Sequence, residues 1–82
     1  MAQSLWFKSG KREQDVQVGS VFRHRINRNI VETAEVLEIA EDSLGIPHVT
    51  FEVKVEKAHF AGFNERRTLG LKSFYDRFHE PV

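Results

Sequence analysis

Cysteine is absent from the 82 residues, which removes disulfides, thiolate nucleophiles and thiolate zinc sites, and with them the usual staples of a small secreted module. Ordinary packing must hold the chain together. No apolar run approaches the ~18 residues of a membrane span. The amino end, MAQSLWFKSGKR, carries no apolar stretch of the kind a secretory signal needs. A cytoplasmic protein with no membrane contact is the expectation. Net charge is also lacking, since twelve Lys plus Arg are offset by twelve Asp plus Glu. Nucleic-acid modules usually carry a basic excess, because their affinity for phosphate comes largely from counterion release. No glycine-rich phosphate loop occurs: Gly19, Gly45, Gly62 and Gly70 are isolated and read as turn or bulge glycines.

What is present suits one small globular domain. Apolar residues make up 40% and charged residues 29%, with nine aromatics, too hydrophobic for a disordered chain and too polar for a membrane protein. The zero total hides a striped distribution: residues 1–30 sum to +4, residues 31–56 to −6 and residues 57–82 to +2. Stripes of opposite sign can meet across the strands of a sheet.

Residues 8–17, KSGKREQDVQ, hold one apolar residue in ten and cannot bury themselves. Residues 1–17 therefore read as a partly flexible arm, in which Leu5, Trp6 and Phe7 could dock on the body as a short edge strand over residues 5–8. The single domain spans residues 18–82. From Val16 the even positions Val16, Val18, Phe22, His24 and Ile26 face inward, while Arg23 and Arg25 face solvent, the period-2 pattern of a strand. Asn27-Arg28-Asn29 is a reversal, because asparagine tolerates the left-handed backbone that tight turns need.

Residues 30–42, IVETAEVLEIAED, are ambiguous. Glutamates at 32, 35, 38 and 41 and good helix formers allow a helix, yet the apolar residues scatter around the helical circle. A strand with one bulge near Val36-Leu37 places Ala34, Val36 and Ile39 on one face and the glutamates mostly on the other, and is preferred. Ser43-Leu44-Gly45-Ile46-Pro47 is a turn. Val49, Phe51, Val53 and Val55 then alternate with Thr50, Glu52, Lys54 and Glu56, the clearest strand in the chain. Arg67, Leu69 and Leu71 mark one face of a fourth strand. Ser73-Phe74-Tyr75-Asp76 has the form of a helix start, predicting a helical turn or two over residues 74–79, with Pro81 ending regular structure. The fold class is mainly β: a small SH3-like antiparallel barrel of four to five strands with a short C-terminal helical turn.

In order along the chain, the segments 18–24 (VGSVFRH), 33–37 (TAEVL), 45–49 (GIPHV) and 67–69 (RTL) resemble small uncharacterised bacterial proteins with SH3-like β-barrels. The resemblance spans residues 18–78 and implies a fold without assigning residue roles. Barrels of this shape serve as nucleic-acid, peptide or protein-docking modules.

Candidate sites follow from residue type and position. The histidines 24, 48, 59 and 79 are separated by 24, 11 and 20 residues, unlike metal motifs, so no metal or other cofactor is expected. His24 lies between Phe22 and Ile26 on the apolar face and reads as a satisfied core histidine. The serines occupy turn or capping positions, and the glutamates of residues 32–56 lie on the wet faces with ordinary pKa values, so no enzyme is expected. Phe60, Phe63 and Tyr75, with Trp6 as a lid, form the candidate protein contact, against a reading in which the rings simply fill the core. A weak nucleic-acid-binding surface made of Arg23, Arg25 and Arg28 with Lys8, Lys11 and Arg12 of the arm is the alternative. The reading is a non-enzymatic macromolecular docking module with a protein partner, itself a monomer or weak homodimer.

Overall fold

The computed structural model describes residues 16–57 and 62–82. The elements run β1 (Val21–Asn27), β2 (Ile30–Glu41), β3 (Pro47–Lys57), β4 (Asn64–Gly70), α1 (Leu71–Arg77) and β5 (Glu80–Pro81). The strands make one antiparallel sheet in the order β4-β3-β2-β1-β5, which stays open, with β4 and β5 at its edges. The described residues are thus mainly β with one short helix.

Each strand follows from its alternation. In β3, Val49, Phe51, Val53 and Val55 are buried while Lys54 and Glu56 are exposed. β2 is a strand and not a helix, and its pairing with β3 shifts register between Val36 and Glu38. That bulge adds one residue and so changes parity, keeping Ala34, Val36 and Ile39 on the core side. The turn into β2 is built by Asn27, whose side-chain oxygen accepts the amides of Asn29 and Ile30 at 2.8 and 3.0 Å.

Phe22, Ala34, Val36, Val49, Phe51 and Val53 form the buried sheet face, and Phe74 of α1 and Phe78 beyond it cover that face. The Phe74 ring meets Phe51 edge-on at 4.9 Å and Phe22 at 5.9 Å. Such aromatic contacts contribute roughly 0.5–1.5 kcal/mol each beyond burial. The opposite face is polar, with Glu35, Glu52, Lys54 and Asn64 lining a shallow depression of about 370 Å³.

Several expectations need correction. The first strand begins at Val21, not Val16, because Gln17 to Ser20 form a turn in which the Ser20 amide donates to the Gln17 carbonyl and Gly19 takes φ 95°. Val18 consequently points into solvent, as does Ile26 beside the irregularity at the end of β1. The helix starts three residues early, at Leu71, with Gly70 as its N-cap and no side-chain cap bond, so Ser73 lies inside the helix. Leu71 accordingly belongs to α1 and not to the fourth strand. Pro81 pairs with Phe22 instead of ending regular structure. An edge strand tolerates a proline that has no N–H to donate. The edge strand expected over residues 5–8 lies outside the described residues.

Candidate functional site

Glu32 sits at the mouth of the core, near the start of β2, with 4% of its surface exposed. It faces inward because it shares parity with Ala34 and Val36 before the bulge. This corrects the wet-face expectation for the glutamates at this position. A buried carboxylate is costly unless paired, and three elements supply partners. Its Oε1 lies 3.2 Å from His24 Nδ1 of β1 and accepts from Arg77 Nε at 3.3 Å and Arg77 Nη2 at 3.0 Å, while its Oε2 lies 3.9 Å from Arg67 Nη1 of β4. An ionised carboxylate has no hydrogen to give, so Nδ1 of His24 must carry the proton.

Burial pushes the Glu32 carboxyl up, but hydrogen bonds from His24 and Arg77, reinforced by the charges of Arg77 and Arg67, hold it below its ordinary value. A carboxylate held ionised, with Oε1 spent on three donors, is badly placed to act as an acid at neutral pH. Its chemistry is to orient others. Arg67, Arg77 and His24 stand around it with about a third to two-fifths of each side chain exposed. Arg77 also lies over the Phe78 ring at 5.7 Å, and His24 meets the same ring edge-on at 5.8 Å.

Phe63 belongs to the same row of the sheet. The Val55 amide donates to the Phe63 carbonyl at 3.0 Å, extending the β3–β4 ladder one pair past Lys54 and Asn64, and Glu32 is the partner of Val55 on the other side. The chain reaches this position through Gly62, where any Cβ would fall on the Val55 carbonyl, so glycine is required by close approach. The Phe63 backbone is thus bonded to β3 while the residue stays 56% exposed.

The residues expected to form a protein contact separate. Phe63 is exposed, whereas Tyr75 is half-buried and packs against the core from α1, its ring 6.0 Å from that of His79. Phe60 and Trp6 lie outside the described residues, as do Lys8, Lys11 and Arg12. Arg23 and Arg25 share the polar face, Arg23 half-buried and Arg25 exposed and 3.9 Å from Glu80, and Arg28 is exposed at the β1–β2 turn. Glu35, Glu52 and Glu56 line the depression on the same polar face.

The Glu32 cluster went unread in the sequence although a signal existed: a strand phased on Ala34 and Val36 puts position 32 inside. Its arginine partners, 35 and 45 residues away, had none. Comparison of the chain with protein-family models, curated proteins and solved structures gives no match.

Proposed function

We propose that this protein is a non-enzymatic docking module that binds another protein at the mouth of its core, with Phe63 as the anchor and Arg67, Arg77 and His24 as the polar rim. The observation that carries the reading is Phe63 itself, an aromatic residue in solvent on a backbone hydrogen-bonded to Val55 of β3. Aromatic and arginine side chains dominate binding energetics at protein interfaces, and a pre-ordered anchor loses little entropy on binding. Tyr75, packed on the core, acts in this reading as support more than as contact. An SH3-like roll is part of the proposal: the return of β5 to β1 favours a sheet wrapped around α1 and Phe78. A cytoplasmic setting is proposed with it.

Phe63→Ala tests the reading. The melting temperature should move little, because exposed substitutions usually change stability by within about 0.5 kcal/mol. Proteins captured from a cell lysate by the unaltered chain should be lost with the variant. A drop of several degrees with the captured proteins unchanged would sink the proposal. Titration with short single- and double-stranded oligonucleotides at low and high salt probes Arg23, Arg25 and Arg28. Salt-sensitive binding there would favour the nucleic-acid alternative.

A further inference from the structure

At the other end of the sheet, the β2–β3 turn presents an apolar projection. Leu44 is 81% exposed and Ile46 49% exposed, on a turn organised around Asp42. Asp42 Oδ1 accepts the amides of Leu44 at 2.8 Å and Ile46 at 3.0 Å. The Asp42 amide donates to the Ile46 carbonyl at 3.0 Å, the Gly45 amide donates to the Asp42 carbonyl at 2.9 Å, and Gly45 takes φ +81°. Leu44 is therefore held out in water by a turn closed by four hydrogen bonds to Asp42.

Beside this projection lies a cleft of about 340 Å³ lined by Ile46, Pro47, Gly70, Leu71, Lys72 and Ser73. Ile46 belongs to both features, so projection and cleft adjoin. Their charges differ in sign. Glu41 and Asp42 precede Leu44 in the chain, with Asp42 3.8 Å from His48, and Lys72 stands at the cleft, 3.9 Å from Asp76 in a pair that leaves both side chains exposed to solvent.

We infer that this patch is a self-association surface, in which Leu44 of each chain enters the Ile46–Leu71 cleft of a second copy. A two-fold interface requires each copy to offer a feature and its complement on one surface, and a leucine-sized projection beside an apolar cleft meets that requirement. Under the same axis, the acidic base of each projection approaches the Lys72 side of the opposing cleft. The patch is small, which places the dimer at the weak end of specific association. It is separate from the Phe63 mouth, so the two readings stand or fall apart.

Sedimentation velocity from about 10 µM to about 1 mM tests the inference, a range set by the weakness expected of so small a contact. The sedimentation coefficient should rise with concentration from monomer toward dimer. Leu44→Asp removes the projection, and Gly70→Leu fills the cleft, whose floor leaves open space at the Gly70 Cβ position. Each should weaken association about tenfold or more, as expected for losing a buried leucine contact. Leu44→Asp should leave the melting curve in place, because that side chain touches little in the monomer. Mixed together, the two variants retain one projection and one matching cleft and should associate better than either alone. Phe63→Ala should associate like the unaltered chain. A protein that stays monomeric at the highest concentration overturns the inference. So does a dimer indifferent to both substitutions, or a mixture no tighter than its components.

Discussion

Two carboxylates at opposite ends of β2 are both held below their ordinary pKa, by unlike means. At Glu32, burial works against the charge, and side chains from distant elements overcome it: His24 is 8 residues away and Arg77 is 45. At Asp42, amides 2 and 4 residues ahead do most of the work, first Ile46 and then Leu44, with little burial to oppose them. The first arrangement needs a finished fold, since β1, β4 and α1 must all be in place. The second needs only five consecutive residues. A charge that costs much to bury can knit a tertiary structure, whereas an exposed one shapes a turn.

Removing each carboxylate in turn should expose the difference. Glu32→Ala should give the largest effect, a loss of about 2–4 kcal/mol in denaturant unfolding, because three donors lose their acceptor and α1 loses its tie to the sheet. A loss below about 0.5 kcal/mol, the range of ordinary surface changes, would show that water replaces the carboxylate freely.

Acid unfolding should separate the same two groups. A carboxyl whose pKa is depressed by folding contributes stability that is fully present above its unfolded value and is lost as pH falls through the folded value. For Glu32 this loss begins near the ordinary value of 4.5, and for Asp42 near 3.8. Glu32→Gln should therefore flatten the fall of melting temperature below pH 4.5. An unchanged slope would mean that the cluster is not coupled to folding.

Asp42→Ala should lower the melting temperature less than Glu32→Ala and should broaden the amide signals of Leu44 and Ile46, which NMR would detect. Equal losses would erase the distinction between the two ends. Smallest of all should be the thermal effects of Phe63→Ala and Leu44→Asp, whose side chains lie mostly in solvent.

Much of the sheet was legible in the residues because period-2 alternation is a local signal. β3 could be read directly, and the bulge near Val36-Leu37 followed from forcing Ala34, Val36 and Ile39 onto one face. The turns at Asn27 and Gly45 announced themselves by residue type. The helix was misplaced by three residues because a serine with an acid three positions on resembles a cap. Here the chain passes straight from β4 into α1, and the contact of Phe74 with Phe51 decides the phase of the helix. Of the candidate site, Phe63 and Tyr75 stand among the expected contact residues, whereas His24, which reads from the sequence as a satisfied core histidine, bonds Glu32 with 32% of its side chain exposed. The cations around Glu32 could not be read, because no local pattern encodes which distant arginine reaches a given carboxylate.

The amino-acid sequence by itself determined the antiparallel strands, the inner and outer faces of β3 and the turns between strands, since these rest on backbone preferences and spacing within a few residues. Only the tertiary structure decided that Glu32 is buried under Arg77 and Arg67, that Pro81 returns to β1, and that Leu44 stands beside a cleft. Those arrangements depend on contacts between residues far apart in the chain, which form once hydrophobic burial has brought the helix onto the sheet.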